Sequence, residues 1–340
     1  MGRVAESKIR LLAPCYLICV VLWLLKFVSV SRRSEVSIAA SCKLDDAERV
    51  KDLRVSFSSW LSVKGVRQII IVDWNSSHPL ISELQALANL CPVFEIDCVF
   101  LQVRNSIANV NMKWTITSAT NLAFRFVQAP YILKVDCDTL LHPEFIQLNP
   151  LADTGFRYGD WRHARDANDL HLNGVFLARA SHFREVHGFD ERFRFYGWDD
   201  SDLYLRLAEH IRRTSTVAHI HQDFHRMKGS VSLIEHIKHE RHTDPIVERA
   251  GICFNRLASK RVESWHHDSS PFLCHREKKS SGLTHFMCQL QKNYTALNEL
   301  LDVKSCAAIV KTCLKELKSG CINCKQTLLL QMCHEKVPGR

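Results

Sequence analysis

The stretch RQIIIVDWNSSHPL, residues 67–80, decides the fold. Ile69 to Val72 are apolar without a break, all β-branched, and they run straight into Asp73. A strand with one wet face alternates apolar and polar residues, whereas an unbroken run suits a strand covered on both faces. The same kind of run recurs in VSIAASC (36–42), VFEIDCVFLQV (93–103) and YILKVD (131–136). Between these runs the period changes. Ala47, Val50, Leu53, Phe57, Trp60 and Leu61 step by three and four, a helical stripe. LISELQALANL (80–90) and KWTITSATNLAFRFV (113–127) predict two more helices. Asp45 with Glu48 predicts a capping box for the first helix, and Gly65 its stop. Strand and helix in alternation predict an α/β fold with a mainly parallel sheet, right-handed crossovers and helices on both faces. Ligands of such sheets bind outside the carboxyl ends of the strands.

Beyond residue 150 the pattern loosens. LNGVFLA (172–178) is an apolar break in a polar stretch, ASHFREVHG (180–188) a short helix, and Leu203, Leu207 and Ile211 form one face of a longer helix. TVAHIHQ (216–222) predicts a closing strand. From about 250 the chain turns Cys-, Lys- and Ser-rich, with helical segments and no second sheet expected.

The net charge of +9 is placed at the ends. Residues 1–33 hold six Lys and Arg against one Glu, and residues 251–340 hold fourteen against seven acids, which leaves the middle slightly acidic. A nucleic-acid reader concentrates basic charge on its folded domain, so that class is not expected here. Residues 11–30, LLAPCYLICVVLWLLKFVSV, carry a single Lys and are long enough to cross a bilayer core. They predict a single-pass signal anchor at 11–30 within a segment 1–33, with a cleaved signal peptide as the competing reading. Either route leads to the secretory pathway. Eight of the fourteen cysteines crowd into the last ninety residues, which predicts a disulfide-bonded helical appendix at 246–340 rather than a zinc site. Asn75 and Asn293 open glycosylation sequons.

Carboxylates mark the strand ends. IIIVDW ends at Asp73, and YILKVDCDT at Asp136 and Asp138, which the two-residue period places on one side of the chain. Two carboxylates side by side favour a bridging cation, and an all-oxygen pair favours Mg2+ or Mn2+. YGWDDSDLYLRL (196–207) gathers Asp199, Asp200 and Asp202 at a helix start. Simple N-terminal capping would also put acids there.

IIIVDWNSSHPL, YILKVDCDT and LNGVFLARASHFREVHGFDERFRFYGWDDSDLYLRL, in this order and at these distances, resemble nucleotide-sugar glycosyltransferases of the GT-A fold. The chain is most similar to family-2-like enzymes and to the galactosyltransferase C-terminal module with its Gly-Trp-Gly-Gly-Glu-Asp signature. The likeness covers about 36–225 and implies a catalytic domain at 34–245. It implies a UDP-sugar donor, galactose or N-acetylhexosamine above all, a glycan acceptor, a divalent metal (Mn2+ or Mg2+) and inversion at the anomeric carbon. It also implies a Golgi or ER membrane protein of type II; a homo- or hetero-oligomer stays open. Carried over by position, Asp73 meets the uracil, and Asp136 and Asp138 form the metal motif. Asn173 and Gly174 border the sugar pocket, and Trp198 stacks on a sugar face. Asp200 is the general base and Asp199 an acceptor-hydroxyl binder, while His221 is taken from His219, His221 and His225 as a third metal ligand. Two departures stand out. The Gly-Gly after the Trp is missing, and Ser118 stands where relatives carry an Arg facing the donor phosphates, with Lys134 or Lys113 as substitutes. A non-catalytic partner subunit of the secretory pathway is the alternative function.

Overall fold

The structure is a computed structural model that describes residues 35–104, 115–151, 155–193, 196–214, 221–225, 227–237, 245–263, 265, 272–280, 283–290, 300–316 and 333. The anchor expected at 11–30 lies outside these residues. No described helix is long and apolar enough to cross a membrane.

The expected α/β architecture is present. Strands β1 (Val36–Cys42), β2 (Val66–Trp74), β3 (Asp97–Val103) and β4 (Tyr131–Lys134) are mutually parallel in the order β3-β2-β1-β4. Their apolar runs are buried on both faces. Ile69 and Ile71 join one core cluster, and Ile70 and Val72 join the other. Helix α1 (Ala47–Leu61) covers the first face through Leu53, Phe57 and Trp60. Its N-cap is Asp46, whose carboxylate accepts the Arg49 N–H at 2.8 Å, one residue later than the capping box expected from Asp45. The left-handed residue after it is Gly65 (φ 93°). Helix α2 (Ile116–Phe124) covers the second face, with Ala119, Leu122 and Ala123 in the core. The helix expected at 80–90 is broken into two four-residue turns, Leu80–Glu83 and Gln85–Ala88.

The sheet then reverses. A short strand β5 (Thr139–Leu141) leaves the main sheet, and β6 (Phe156–Tyr158) and β7 (Phe176–Arg179) extend it, with β7 antiparallel to both β4 and β6. Helix α3 (Asp199–Thr214) buries Leu203, Tyr204, Leu207 and Ile211, the face read from the sequence. The closing strand β8 is His221–Asp223, at the sheet's far edge beside β6. Two small ribbons follow: β9 (Met227–Lys228) with β10 (Val231–Ser232), and β11 (Ile234–His236) with β5.

The appendix departs from expectation. Helices α4 (Pro245–Ser259) and α5 (Val303–Glu316) form, but the hairpin β12 (Phe272–Ser280) and β13 (Leu283–Leu290) also joins the main sheet. Its second strand runs parallel to β3, giving nine strands in the order β12-β13-β3-β2-β1-β4-β7-β6-β8. Residues from Val36 onward form one compact unit, so the appendix belongs to the same body as the main sheet. The polar HREKKS of β12 occupies the sheet edge, where charge discourages strand addition.

Disulfides tie both regions. Cys253–Cys313, Cys274–Cys288 and Cys306–Cys333 bear out a disulfide-bonded tail, while Cys321 and Cys324 lie outside the described residues. Two more, Cys42–Cys137 and Cys91–Cys98, join cysteines scattered along the first half.

Candidate functional site

β1, β2 and β4 point the same way, and β7 begins where β4 ends, opposite Lys134. Asp73, Asp136, Asp138, Asn173 and Gly174 are thereby gathered at one edge, together with the start of α3.

Asp73 is fully buried. One carboxylate oxygen accepts the Ser76 N–H and the other the Leu80 N–H, both at 3.1 Å. It therefore builds the NSSHP turn at the mouth of the crevice. Cys42, its register partner across β1–β2, is the residue disulfide-bonded to Cys137, between Asp136 and Asp138. The loop is fixed further by Thr139, whose N–H donates to the Asp136 carbonyl while its own carbonyl accepts the Trp60 indole N–H at 2.7 Å.

Lys134 is buried at 3% exposure and donates to the Asp136 carboxylate at 2.7 Å. Burial alone would depress its pKa. The nearby charges of Asp136, Asp200 and Asp199 outweigh that and push it above the ordinary lysine value. Gly174 lies directly over this pair. A Cβ there would stand 2.8 Å from the Lys134 Nζ and 3.1 Å from a carboxylate oxygen of Asp136, so any side chain would have to displace this ion pair. Asn173 is held through its carbonyl, which accepts the Tyr204 hydroxyl of α3 at 2.5 Å.

Asp138 faces a residue that the sequence reading missed. The Nε2 of His236 lies 3.3 Å from its carboxylate. Strand β11 brings it there, because His236 pairs with Thr139 and the Ile237 N–H donates to the Asp138 carbonyl. Asn168 clamps β11 from the other side, accepting the His236 N–H at 2.7 Å and donating to the Ile234 carbonyl at 3.1 Å. The His171 ring stacks on His236 with centroids 4.8 Å apart. His221 starts β8 at the far edge of the sheet, and its side chain is outside what is described. The signal for His236 was faint: a short apolar pair, LI, before EH in a polar stretch with many histidines.

These residues fit a divalent cation. Two cis ligand atoms at about 2.1 Å from one ion lie about 3 Å apart, close to the Asp138–His236 separation. Among the described residues no group of three His, Cys, Asp or Glu converges on one point. A two-ligand site is one that substrate phosphates complete.

Asp199 and Asp200 open α3. Gly197 (φ 80°) and Trp198 (φ 72°) both take left-handed backbone, which costs a non-glycine residue about 1–2 kcal/mol. The Asp202 N–H donates to the Trp198 carbonyl and starts the helix. Burial raises the Asp199 pKa, partly offset by Lys134 and by backbone N–H groups of residues 199 and 200. Asp200 is raised further, by burial first and then by the Asp199 charge, against the pull of Lys134. Asp202 turns elsewhere, pairing with Arg206 at 2.7 Å, and Arg206 also donates to the Val186 and Gly188 carbonyls. Trp198 is half-buried against a cluster of α4 and α5 residues, so part of its ring is already covered.

Ser118 is buried in α2. Lys113 lies outside the described residues, which leaves Lys134 as the cation seen at this edge. A depression of about 860 Å³ lined by Arg54, Ser58, Glu83 and Asn89 contains none of the site residues.

The family described as the N-terminal domain of galactosyltransferase matches residues 163–240, under a quarter of the chain. That segment holds Asn173, Gly174, Trp198, Asp199, Asp200, His221 and His236, so the resemblance to nucleotide-sugar glycosyltransferases is borne out there. No curated protein matches the chain in sequence. Among solved structures, Staphylococcus aureus TarS (residues 1–349) in complex with UDP-GlcNAc is similar at TM-score 0.43 and 11% identity, covering 68% of each chain. Mycobacterium tuberculosis glucosyl-3-phosphoglycerate synthase in complex with Mg2+ and UDP is similar at TM-score 0.40 and 12% identity, covering 71% of this chain and 83% of that one. Two further TarS structures are covered over only 55% and 33% of their own length.

Proposed function

We propose that this glycosyltransferase moves a sugar, galactose or N-acetylhexosamine, from a UDP-sugar to a glycan hydroxyl with inversion. A single observation carries the reading. Asp136 with Lys134, Asp138 with His236, and the Asp199–Asp200 pair lie at one edge of the sheet, and the charge of Lys134 acts on Asp136, Asp199 and Asp200.

The division of labour follows from the surroundings of each group. Asp138 and His236 would hold Mn2+ or Mg2+, which when bound would supply positive charge beside a diphosphate. Lys134 sets the charge of the pocket floor and keeps Asp136 in place. Gly174 leaves room for the donor sugar, with Asn173 on its border. Asp200 accepts the proton of the attacking hydroxyl as its oxygen bonds to the anomeric carbon, while the bond from that carbon to the diphosphate oxygen breaks and UDP departs. A carboxylate with a raised pKa is a stronger base, once ionised, than an ordinary one. Asp199, held by backbone N–H groups, orients the neighbouring hydroxyl. Asp73 supports the turn beside the uridine.

The disulfides suit an oxidising lumen, in line with a Golgi or ER enzyme anchored through residues 11–30. The test is UDP release from a panel of UDP-sugars with Mn2+, before and after exhaustive chelation. Release with one donor that chelation abolishes supports the reading. UDP binding without release by any donor and acceptor favours the non-catalytic partner subunit instead.

A further inference from the structure

The segment from His187 to Trp198 carries the chain from the short helix Ala180–Glu185 to the carboxylates at the start of α3. Left-handed pairs bracket it: His187 (φ 59°) with Gly188 (φ 69°), and Gly197 (φ 80°) with Trp198 (φ 72°). Such backbone persists only where the surroundings over-determine it. Here the surroundings come from the C-terminal appendix. The Trp265 indole N–H donates to the His187 carbonyl at 2.9 Å. The Asn255 amide, fully buried, donates to the Gly197 carbonyl at 2.8 Å. Between these two bonds, Arg192 donates to the Glu263 carbonyl at 3.0 Å, and its guanidinium lies over the Trp265 ring at 5.5 Å. Packing adds to them. A Cβ on Gly197 would stand 2.5 Å from Ile252, so α4 presses directly on that turn. Phe193 and Trp198 pack with Phe254, Ile309 and Val310, in a cluster that Cys253–Cys313 and Cys306–Cys333 staple.

We infer that helix α4 from Ile252 onward and Trp265 form a brace, with Asn255 and Trp265 as positioning residues that hold both left-handed pairs and thereby aim Asp199 and Asp200 into the crevice. The inference rests on the reading of these two carboxylates given above. Neither positioning residue touches a reacting atom. Asn255 acts through the Gly197 carbonyl, two residues ahead of Asp199. The appendix is then not a separate module that the enzyme merely carries. Its disulfides keep the brace rigid, and its attachment to the sheet through β13 fixes where the brace stands.

The experiment compares the wild type with Asn255→Leu, which keeps the branched outline and removes the donor, and Trp265→Phe, which keeps a ring and removes the indole N–H. Hydrogen exchange by mass spectrometry reads the backbone directly. Asn255→Leu should accelerate exchange over 196–202 tenfold or more, and Trp265→Phe over 187–193, with peptides of β2 unchanged. In transfer assays Asn255→Leu should lower kcat tenfold or more with the donor KM and metal activation unchanged. Unchanged exchange over both segments overturns the inference. So does a uniform rise across the molecule, which would show general destabilisation. A wild type without transfer activity would instead count against the proposed function, and the exchange result would still decide the brace.

Discussion

The chain contains Asp-x-Asp twice near the site, and the two copies are put to opposite uses. In Asp136-Cys137-Asp138 the motif follows the end of β4 in a turn, closed by the Thr139 N–H on the Asp136 carbonyl, and not in the extended strand that its two-residue spacing suggested. In Asp200-Ser201-Asp202 it sits on the first turn of α3, where two positions rotate a side chain by about 200° and send the carboxylates apart. The first pair is surrounded by cations and imidazole: Lys134 on Asp136, His236 on Asp138. The second is split, with Asp200 half-buried beside Asp199 and Asp202 paired with Arg206. On the proposed reading the first copy is placed beside a lysine and a histidine to hold a cation, and the helix copy offers one carboxylate to proton chemistry while the other pairs with Arg206. The spelling is the same, and secondary structure decides the chemistry.

The largest expected effect separates the two copies. Asp200→Asn keeps shape and loses the base, and should lower kcat by about 10²–10⁴-fold. UDP and metal binding, read by calorimetry, should stay within a few-fold. The same substitution should stabilise the protein at neutral pH. The folded carboxyl titrates above its unfolded value, so stability is full below the ordinary carboxylate range and falls as pH rises through the folded value. Asn removes that loss, and Tm should rise by the equivalent of about 0.5–2 kcal/mol. A lower Tm at neutral pH would contradict the raised pKa. An Asp199→Asn variant that abolishes turnover, beside a nearly active Asp200→Asn, would move the base by one residue.

The first copy is tested by its histidine. His236→Ala should weaken activation by Mn2+ about 10–100-fold, the range seen when a group supporting a metal site is lost. Asp138→Asn should do at least as much, and His221→Ala should leave the metal titration unchanged. If His221→Ala weakens activation and His236→Ala does not, the ion is held from β8 and the pairing of β11 with β5 is irrelevant to it. Replacing Cys42 and Cys137 together by Ser should cost about 2–5 kcal/mol of stability in denaturant unfolding. Because that bridge enters the turn that carries Asp138, its loss should also raise the metal requirement, whereas the corresponding change at Cys91 and Cys98 should affect stability alone.

How much of this the sequence disclosed depended on the range of the interactions involved. β1 to β4 and α1 were legible because an apolar run or stripe reports burial locally. The long face of α3 was legible for the same reason. Asp136, Asp138, Asp199 and Asp200 were legible because strand ends and helix starts are local features too. His236 was hidden, since β11 is three residues long and gains its place only by pairing with β5. The hairpin β12–β13 was hidden because its edge strand is polar, and its partner β3 lies more than 170 residues earlier. Cys42 and Cys137, separated by 95 residues, carry no local sign of pairing. Trp198 was read as a ring open to sugar, while the cluster that covers part of it is assembled from residues beyond 250.

The smallest expected effect is at Asp202, and it completes the comparison. Its carboxylate is buried enough that desolvation outweighs the pull of Arg206, and its pKa is raised rather than lowered. The ion pair is therefore not a net store of stability at neutral pH. Its contribution is greatest at low pH and declines as pH rises through the folded value. Asp202→Asn still accepts a hydrogen bond from Arg206, so unfolding free energy should change by about 1 kcal/mol or less. kcat should remain within about twofold. Arg206→Ala should cost more, because Arg206 also donates to the Val186 and Gly188 carbonyls next to the first left-handed pair. A kcat loss in Asp202→Asn comparable to that in Asp200→Asn would mean that the two side chains act together. The helical phase that turns them apart would then not describe the working enzyme, and the contrast between the two Asp-x-Asp copies would fail with it.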